Sequence, residues 1–527
     1  MRRYYTFVLA LWFSVHVGSP AEAQFPFPLP QLPVPFPLPF PAPAPAPGAE
    51  ATATPAPFNI PFIAPPLPDV PADSPSLRSI TASYGGRLDG PHAALVASAM
   101  AKVSAATTPV SPPSGFRVTL LDSPVVNAMA IGEGNIFITR QILALTNSEE
   151  ELIGILGHEA GHVMARHSSL GALPEQIERG STSLLALVSP DLASVAGVGG
   201  TLVVRFFDRA KEHQSDVTGT KVLADIGRDP MGMYRAIALL EADETLDRTI
   251  HGGPKPGVLD DFLRTHPVST QRLQLISVAA QMAPRSPARV AGMTPAAYVR
   301  ALDGLMFDDG SSEGIIDGNR FQHGPLKLAL TAPAGFRLRN TPDALIANGP
   351  NGSSAVLAAK PDTADIAAAF AAIWTAEIGK LATPPSPSAR SIAALPAIEG
   401  RARIKGSKGP VDIVLTLVRW PDAGLITLLS IDPAGATEAP LAALRNSLRQ
   451  LSPAQAAAVP VRRIKVIDAT SQDTIASMSA RMAYRDNAEA RFRVLNALPK
   501  AGGSLRNGPV KIVVWSNGSG LPEQSRQ

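Results

Sequence analysis

Cysteine is absent from all 527 residues. No disulfide can then hold the chain in an oxidising compartment, and any metal site must draw on histidine and carboxylates. A cysteine-linked lipid anchor is likewise not expected. Charge of one sign is scarce: 47 Lys and Arg stand against 44 Asp and Glu, too small an excess to bind nucleic acid by neutralising phosphates. Long apolar runs are rare as well. Beyond the N-terminus none reaches the roughly 20 residues needed to cross a bilayer, since LASVAGVGGTLVV at 192–204 is short and broken by glycine. Histidine occurs only nine times, so two of them close together carry weight.

What is present falls into blocks. Residues 1–23, MRRYYTFVLALWFSVHVGSPAEA, join a basic start to a short apolar run and the small-residue ending Ala21-Glu22-Ala23. That is the pattern of a secretory signal peptide cleaved before Gln24, so an exported product in the periplasm or outside the cell is expected, at most peripherally membrane-associated, with no transmembrane segment after cleavage. Residues 24–74 are dominated by proline, which fixes φ and donates no hydrogen bond, and read as an extended linker. The greasy Phe-Pro alternation at 25–40 keeps surface association open.

A helix-rich unit is expected over 75–283, with VTLLDS (118–123) and NIFIT (135–139) as strands separated by NAMAIGEG. Ser148 and Glu151 form an S-x-x-E capping box that starts a helix running to about His167. A second helix is expected from near Leu202, ending where Gly227 and Pro230 forbid continuation. After a connector at 284–325, residues 326–455 alternate strand-like runs (LKLAL, AVLAA, VDIVLTLV, GLITLLSI) with alanine-rich helical segments at 363–381 and 437–450, an antiparallel α+β unit of illegible chemistry. A strand-helix-helix-strand unit at 461–515 and a loose tail at 516–527 complete the chain.

The chemistry sits in GILGHEAGHVMARH, residues 154–167. His158 and His162 are four apart, so on a helix they share a face about 6 Å apart and both imidazoles can reach one tetrahedral metal. Glu159 lies about 100° further round, where its carboxylate can meet a metal-bound water without displacing a ligand. The competing reading, a satisfied histidine pair in a core helix, leaves this spacing to coincidence. A third protein ligand is needed. Ala165 and Ser168 exclude the extended H-E-x-x-H-x-x-G-x-x-H pattern, and His167, one residue out of its place, is expected to cap or pack at the helix end. Glu212 in DRAKEHQSD is preferred over its rival His213, because Asp216 one turn on shares its face and can orient a ligand histidine. The GVGG at 197–200 lacks the strand-turn-helix context of a phosphate loop.

With these blocks in place, 80–283 resembles the gluzincin zinc metallopeptidases of bacterial envelope quality control, the family of the β-barrel assembly-enhancing protease and its mitochondrial and CaaX-processing relatives. VVNAMAIGEGNIFITRQIL (125–143), EEELIGILGHEAGHVMARH (149–167), DRAKEHQSDVTG (208–219) and RTHPVSTQR (264–272) carry the likeness. It implies one Zn2+ per chain on His158, His162 and Glu212, with Glu159 as general base. Asp208 stands where such proteins often have serine, and Ser215 where alanine is usual. His266 in RTHP has two readings: a loop histidine packed on the core, or a catalytic residue entering the site as transient fourth ligand or hydrogen-bond donor. The terminal unit resembles a LysM module in Asp473-Thr474, Asn496 and Gly508, but Gln472 replaces the usual glycine; a plain βααβ spacer competes with glycan binding.

The expectation is therefore an α+β multidomain protein: a mainly helical zincin-like domain with a small sheet, an antiparallel α+β domain, then a small βααβ module. Its expected work is zinc-dependent hydrolysis of peptide bonds in unfolded or misassembled envelope proteins, with NIFIT offering an edge for an extended substrate. The alternatives are a hydrolase of peptidoglycan stem peptides and a non-catalytic envelope scaffold.

Overall fold

The computed structural model describes residues 74–516 except 109, 133, 168–182, 190, 194–208, 252–261, 342–343, 407–408, 422 and 437. The expected signal peptide, the linker at 24–73, the GVGG at 197–200, Asp208 and the tail beyond Ser516 lie outside the described residues. Among those residues no helix is long and apolar enough to cross a membrane.

The N-terminal part begins with α1 (Pro75–Ser83) and α2 (Pro91–Ala106), each opened by proline in the first turn, where its missing N–H costs nothing. Strands β1 (Arg117–Leu121), β2 (Ala128–Ile131) and β3 (Asn135–Thr139) form a sheet in the order β1-β3-β2, with β3 parallel to β1 and antiparallel to β2. Two expectations change here. NAMAIGEG is not a plain loop: it contains β2, and Gly132 and Gly134, both at positive φ, turn the chain into β3. NIFIT is not an edge either, because as β3 it is hydrogen-bonded on both sides.

After α3 (Arg140–Leu145) comes α4 (Glu149–Met164), buried along its whole length. Ser148 Oγ accepts from the Glu151 N–H at 3.3 Å. The Glu151 carboxylate returns to the N–H of Asn147 rather than of Ser148, so the reciprocal cap is displaced by one residue. The helix ends at Met164, short of His167, because Arg166 takes a left-handed φ of 52°. Then follow α5 (Leu184–Val188), α6 (Arg209–Asp225), α7 (Met231–His251), α8 (Phe262–Thr265), α9 (Thr270–Met282) and α10 (Pro295–Ala301). The helix expected from Leu202 is seen from Arg209, and 202–208 lie outside the described residues; Gly227 at φ 67° helps close it.

The next part holds two antiparallel sheets. One contains β4 (Ile315–Asp317), β5 (Arg320–His323) and β6 (Leu328–Thr331). The other contains β7 (Arg337–Asn340), β8 (Leu345–Asn348), β9 (Ser354–Lys360), and, after α11 (Ile366–Ile378), β10 (Ser388–Ile392), β11 (Leu395–Gly406), β12 (Gly409–Trp420) and β13 (Gly424–Pro433). It runs β10-β11-β12-β13-β9-β8-β7, and alternation along β13 sends Leu425 and Leu429 to one face and Ile426 and Leu428 to the other. The first face is covered by α11, through Phe370 and Trp374, and by Leu184, Leu185 and Leu187 of α5. The other packs on the smaller sheet and on α12 (Ala439–Asn446), after which β14 (Arg449–Gln450) pairs with β6.

Past α13 (Pro453–Ala457), β15 (Val461–Ala469) and β16 (Gly508–Ser516) pair antiparallel around α14 (Ile475–Ser479) and α15 (Ala488–Leu495). Ile464, Met478, Phe492 and Ile512 belong to the same buried cluster as Leu152, Leu156 and Ile237 of the helical part. The junction is also polar: the Lys511 ammonium donates to the carbonyls of Ala144, Leu145 and Thr146 at 2.7, 2.8 and 2.9 Å, satisfying the open end of α3 just before α4.

Candidate metal centre

Glycine explains how two helices come close enough to share a ligand set. Gly154, Gly157 and Gly161 are spaced i, i+3 and i+7, so they form one stripe on α4. A Cβ there would stand 3.0 Å from Met233 Cα, Gly219 Cα and Thr218 Cβ respectively. Gly157 and Gly161 let α6 lie against α4 almost backbone to backbone, with Gly219 opposite, and Gly154 lets α7 approach at Met233. The adjacent face of α4 carries His158, Glu159 and His162, and α6 brings Glu212 and Asp216.

His158, His162, Glu212 and His266 are buried, and one possible ligand atom from each lies within 4.8 Å of the others. His158 Nε2 and His162 Nε2 are 3.0 Å apart, and His162 Nε2 is 3.2 Å from Glu212 Oε1. His266 Nδ1 stands 3.3 Å from His158 Nε2 and 2.8 Å from Glu212 Oε1. Two ligand nitrogens on one tetrahedral zinc are separated by roughly 3.3 Å, given bonds of about 2.0–2.1 Å. The donor set and its convergence therefore fit that ion. His266 is drawn in by the stacked Phe262 ring, 4.5 Å between centroids, and by Arg272, which donates to the carbonyls of His266 and Pro267. His213 is not part of the cluster.

Around the cluster the charges are ordered. Asp216 Oδ1 is 2.9 Å from His158 Nδ1, and both Asp216 oxygens accept from the Arg272 guanidinium at 2.8 Å. Burial works against ionised Asp216, but Arg272 and His158 outweigh it and hold the carboxyl below its ordinary range. Glu212 is likewise held well below: burial opposes, while contacts from His162 and His266 prevail. Burial takes the His162 imidazole down to about 3 against the pull of Glu212, so it is a neutral donor at any ordinary pH. Glu159 goes the other way. Burial pushes its carboxyl up, with His266 and His158 opposing. Its Oε1 is buried without a hydrogen-bond partner and lies 3.8 Å from His266 Nε2.

The comparisons with known proteins fall on this part of the chain. Residues 93–280 match the model of peptidase family M48. They contain an M48 peptidase domain. The mitochondrial metalloendopeptidase OMA1 of Arabidopsis thaliana is 29% identical over 173 residues, 32% of this chain and 32% of that protein. The beta-barrel assembly-enhancing protease of Yersinia pestis is 30% identical over 171 residues, 30% of this chain and 33% of its own. That of Escherichia coli K12 is 27% identical over 170 residues, 30% and 33%. The match spans about a third of the length of these relatives.

Within the M48 domain the structure brings together every site residue expected from sequence: His158, Glu159, His162, Glu212, Asp216 and His266. Sequence reasoning missed Arg272, although it stands six residues after His266 in the RTHPVSTQR block. A basic residue facing a carboxylate-rich helix across a turn was the available signal. His167 packs at the end of α4 as expected, but the reversal at Arg166 that returns its ring to His162 has no glycine to announce it.

Proposed function

We propose that the chain is a zinc-dependent endopeptidase that cuts extended, unfolded polypeptide, with His158, His162 and Glu212 holding the ion and Glu159 as general base. The observation that carries this is Glu159: a buried carboxylate raised toward neutrality, with an unpartnered oxygen beside a converging ligand set. A zinc ion there supplies Lewis acidity, lowering the pKa of water toward about 7 and polarising the peptide carbonyl. Glu159 accepts the water's proton at Oε1, the oxygen adds to the carbonyl carbon, and Glu159 delivers the proton to the amine as the C–N bond breaks. Asp216 and Arg272 fix the His158 ring and the Glu212 carboxylate throughout. His266 has to move, since its Nδ1 stands where water needs to be. With β3 paired on both sides, an extended substrate is assigned to the outer edge of β2, which among the described residues pairs only with β3. The N-terminal segment, and relatives named for β-barrel assembly, support work in the envelope on misassembled proteins.

One observation favours a second reading. His266 completes a set of four protein donors, which is how a structural site is closed. Purified protein beginning at Gln24 separates the two when wild type and Glu159→Gln are incubated with unfolded casein and with peptidoglycan. The first reading expects casein cleavage by wild type and none by Glu159→Gln at equal zinc content. Absence of cleavage by wild type and by His266→Ala alike supports the second, and release of stem peptides alone points to a peptidoglycan hydrolase.

A further inference from the structure

We propose that His167 is a positioning residue for the metal ligand His162, the neutral counterpart of what Asp216 does for His158; the inference rests on the reading that the cluster holds zinc. Its basis is the turn that ends α4. Arg166 at φ 52° reverses the chain, and the His167 N–H donates to the His162 carbonyl at 2.9 Å. The His167 ring is thereby folded back edge-on against His162, 5.1 Å between centroids. Its Nδ1 lies 3.1 Å from His162 Nδ1, the nitrogen that faces away from the cluster. Its Nε2 lies 2.9 Å from Gln214 Oε1, on the next helix.

These contacts, with a metal on Nε2 of His162, fix where the protons sit. An amide oxygen only accepts, so Nε2 of His167 carries hydrogen and its Nδ1 is left with a lone pair. That lone pair accepts the hydrogen on Nδ1 of His162, which leaves Nε2 of His162 free to bind metal. The opposite arrangement, with the Gln214 amide turned round to donate, runs every proton the other way and puts hydrogen on His162 Nε2. A ligand cannot carry that proton. The chain Gln214, His167, His162 therefore has one order compatible with metal, and it holds the His162 ring in plane as well as in tautomer. Ser215 Oγ, 3.4 Å from His167 Nδ1, borders the same nitrogen. His162 is thus backed by a neutral imidazole where His158 is backed by a carboxylate paired with arginine.

The test uses the mature full-length protein as wild type, His167→Ala and His167→Asn, because the Asn amide oxygen can occupy the place of Nδ1 and accept the same hydrogen. Zinc affinity is measured by chelator competition, the cobalt-substituted protein by its visible absorption bands, and the metal-free fold by thermal unfolding. His167→Ala should bind zinc about 10- to 100-fold more weakly, the loss usual for a partner behind a ligand histidine. It should also shift the cobalt bands, and His167→Asn should recover most of both. Unchanged zinc affinity in His167→Ala overturns the proposal. So does equal weakness in the Ala and Asn variants that merely follows a lower metal-free melting temperature. Wild type that binds no zinc overturns this proposal and the zinc reading together, whereas failure of the His167 variants alone leaves that reading standing.

Discussion

Gly219 is the position where a single methyl group should separate the two helices that share the metal. Built on the backbone, its Cβ stands 2.6 Å from the Gly154 carbonyl oxygen, 3.1 Å from Met233 Sδ and 3.2 Å from the His158 amide nitrogen. The methionine can swing aside, but the carbonyl and the amide belong to the interior of α4 and cannot. Restoring a contact of roughly 3.5 Å requires about 0.9 Å of separation between α4 and α6. Two energies compete. Alanine is favoured over glycine in a helix by about 1 kcal/mol, and overpacking a close-packed interior costs roughly 1–3 kcal/mol. Gly219→Ala should therefore lose up to about 2 kcal/mol of stability, the difference of those ranges. The metal is the sharper reporter. Ligand distances must hold to about 0.2 Å, several times less than the displacement, so zinc affinity should fall by more than the stability change alone implies. Gly157→Ala, whose Cβ meets Gly219 Cα at 3.0 Å, should do the same more mildly. Chelator competition and urea unfolding on the three proteins measure both quantities. A Gly219→Ala protein with wild-type zinc affinity would refute the close-approach argument.

Two further outcomes are expected away from the metal. Burial holds Lys511 at about 7, below the ordinary 10.5, with Glu151 opposing. The unfolded chain then binds the additional proton between those values, so the cost of burying Lys511 is complete below pH 7 and fades as pH rises to 10.5. Wild type should gain on Lys511→Met by up to about 1.4 kcal/mol per pH unit in that window; parallel stability curves from urea unfolding would exclude it. In Glu377→Ala the hydroxyl of Ser183 and the N–H of Leu185 lose their shared acceptor, which ties the start of α5 to α11. A loss of about 1–3 kcal/mol is expected, with hydrogen exchange rising first at 184–189, and unaltered exchange there would count against the anchor.

What could be read from sequence followed from local geometry. His158 and His162 at i, i+4, and Glu212 and Asp216 at i, i+4, share helix faces whatever else the chain does. The paired strands of the α+β part were partly hidden. β12 and β13 are buried on both faces and read as continuous apolar runs, but β11 carries Arg401 and Arg403, paired to Glu438 and Asp412, and shows little alternation. The order β1-β3-β2 is a tertiary choice, and nothing within NIFIT distinguishes a central strand from an edge. Glycine disfavours a helix on propensity alone, and only the facing residues Gly219, Thr218 and Met233 give the glycines of α4 a reason. Phe262 and His266 stack four residues apart, but the pairing of Arg272 with Asp216, which joins their segment to α6 beside the cluster, is a tertiary contact with no periodic signal. For the same reason the terminal unit's fusion with the helical core, through Phe492, Ile512 and Lys511, was not visible in a strand-helix-helix-strand pattern.

The most direct test is anomalous X-ray diffraction at the zinc absorption edge from crystals of the protein beginning at Gln24. One peak is predicted, within roughly 2.0–2.2 Å of Nε2 of His158, Nε2 of His162 and a Glu212 carboxylate oxygen. No peak among those atoms, or a peak held by other residues, would contradict the account.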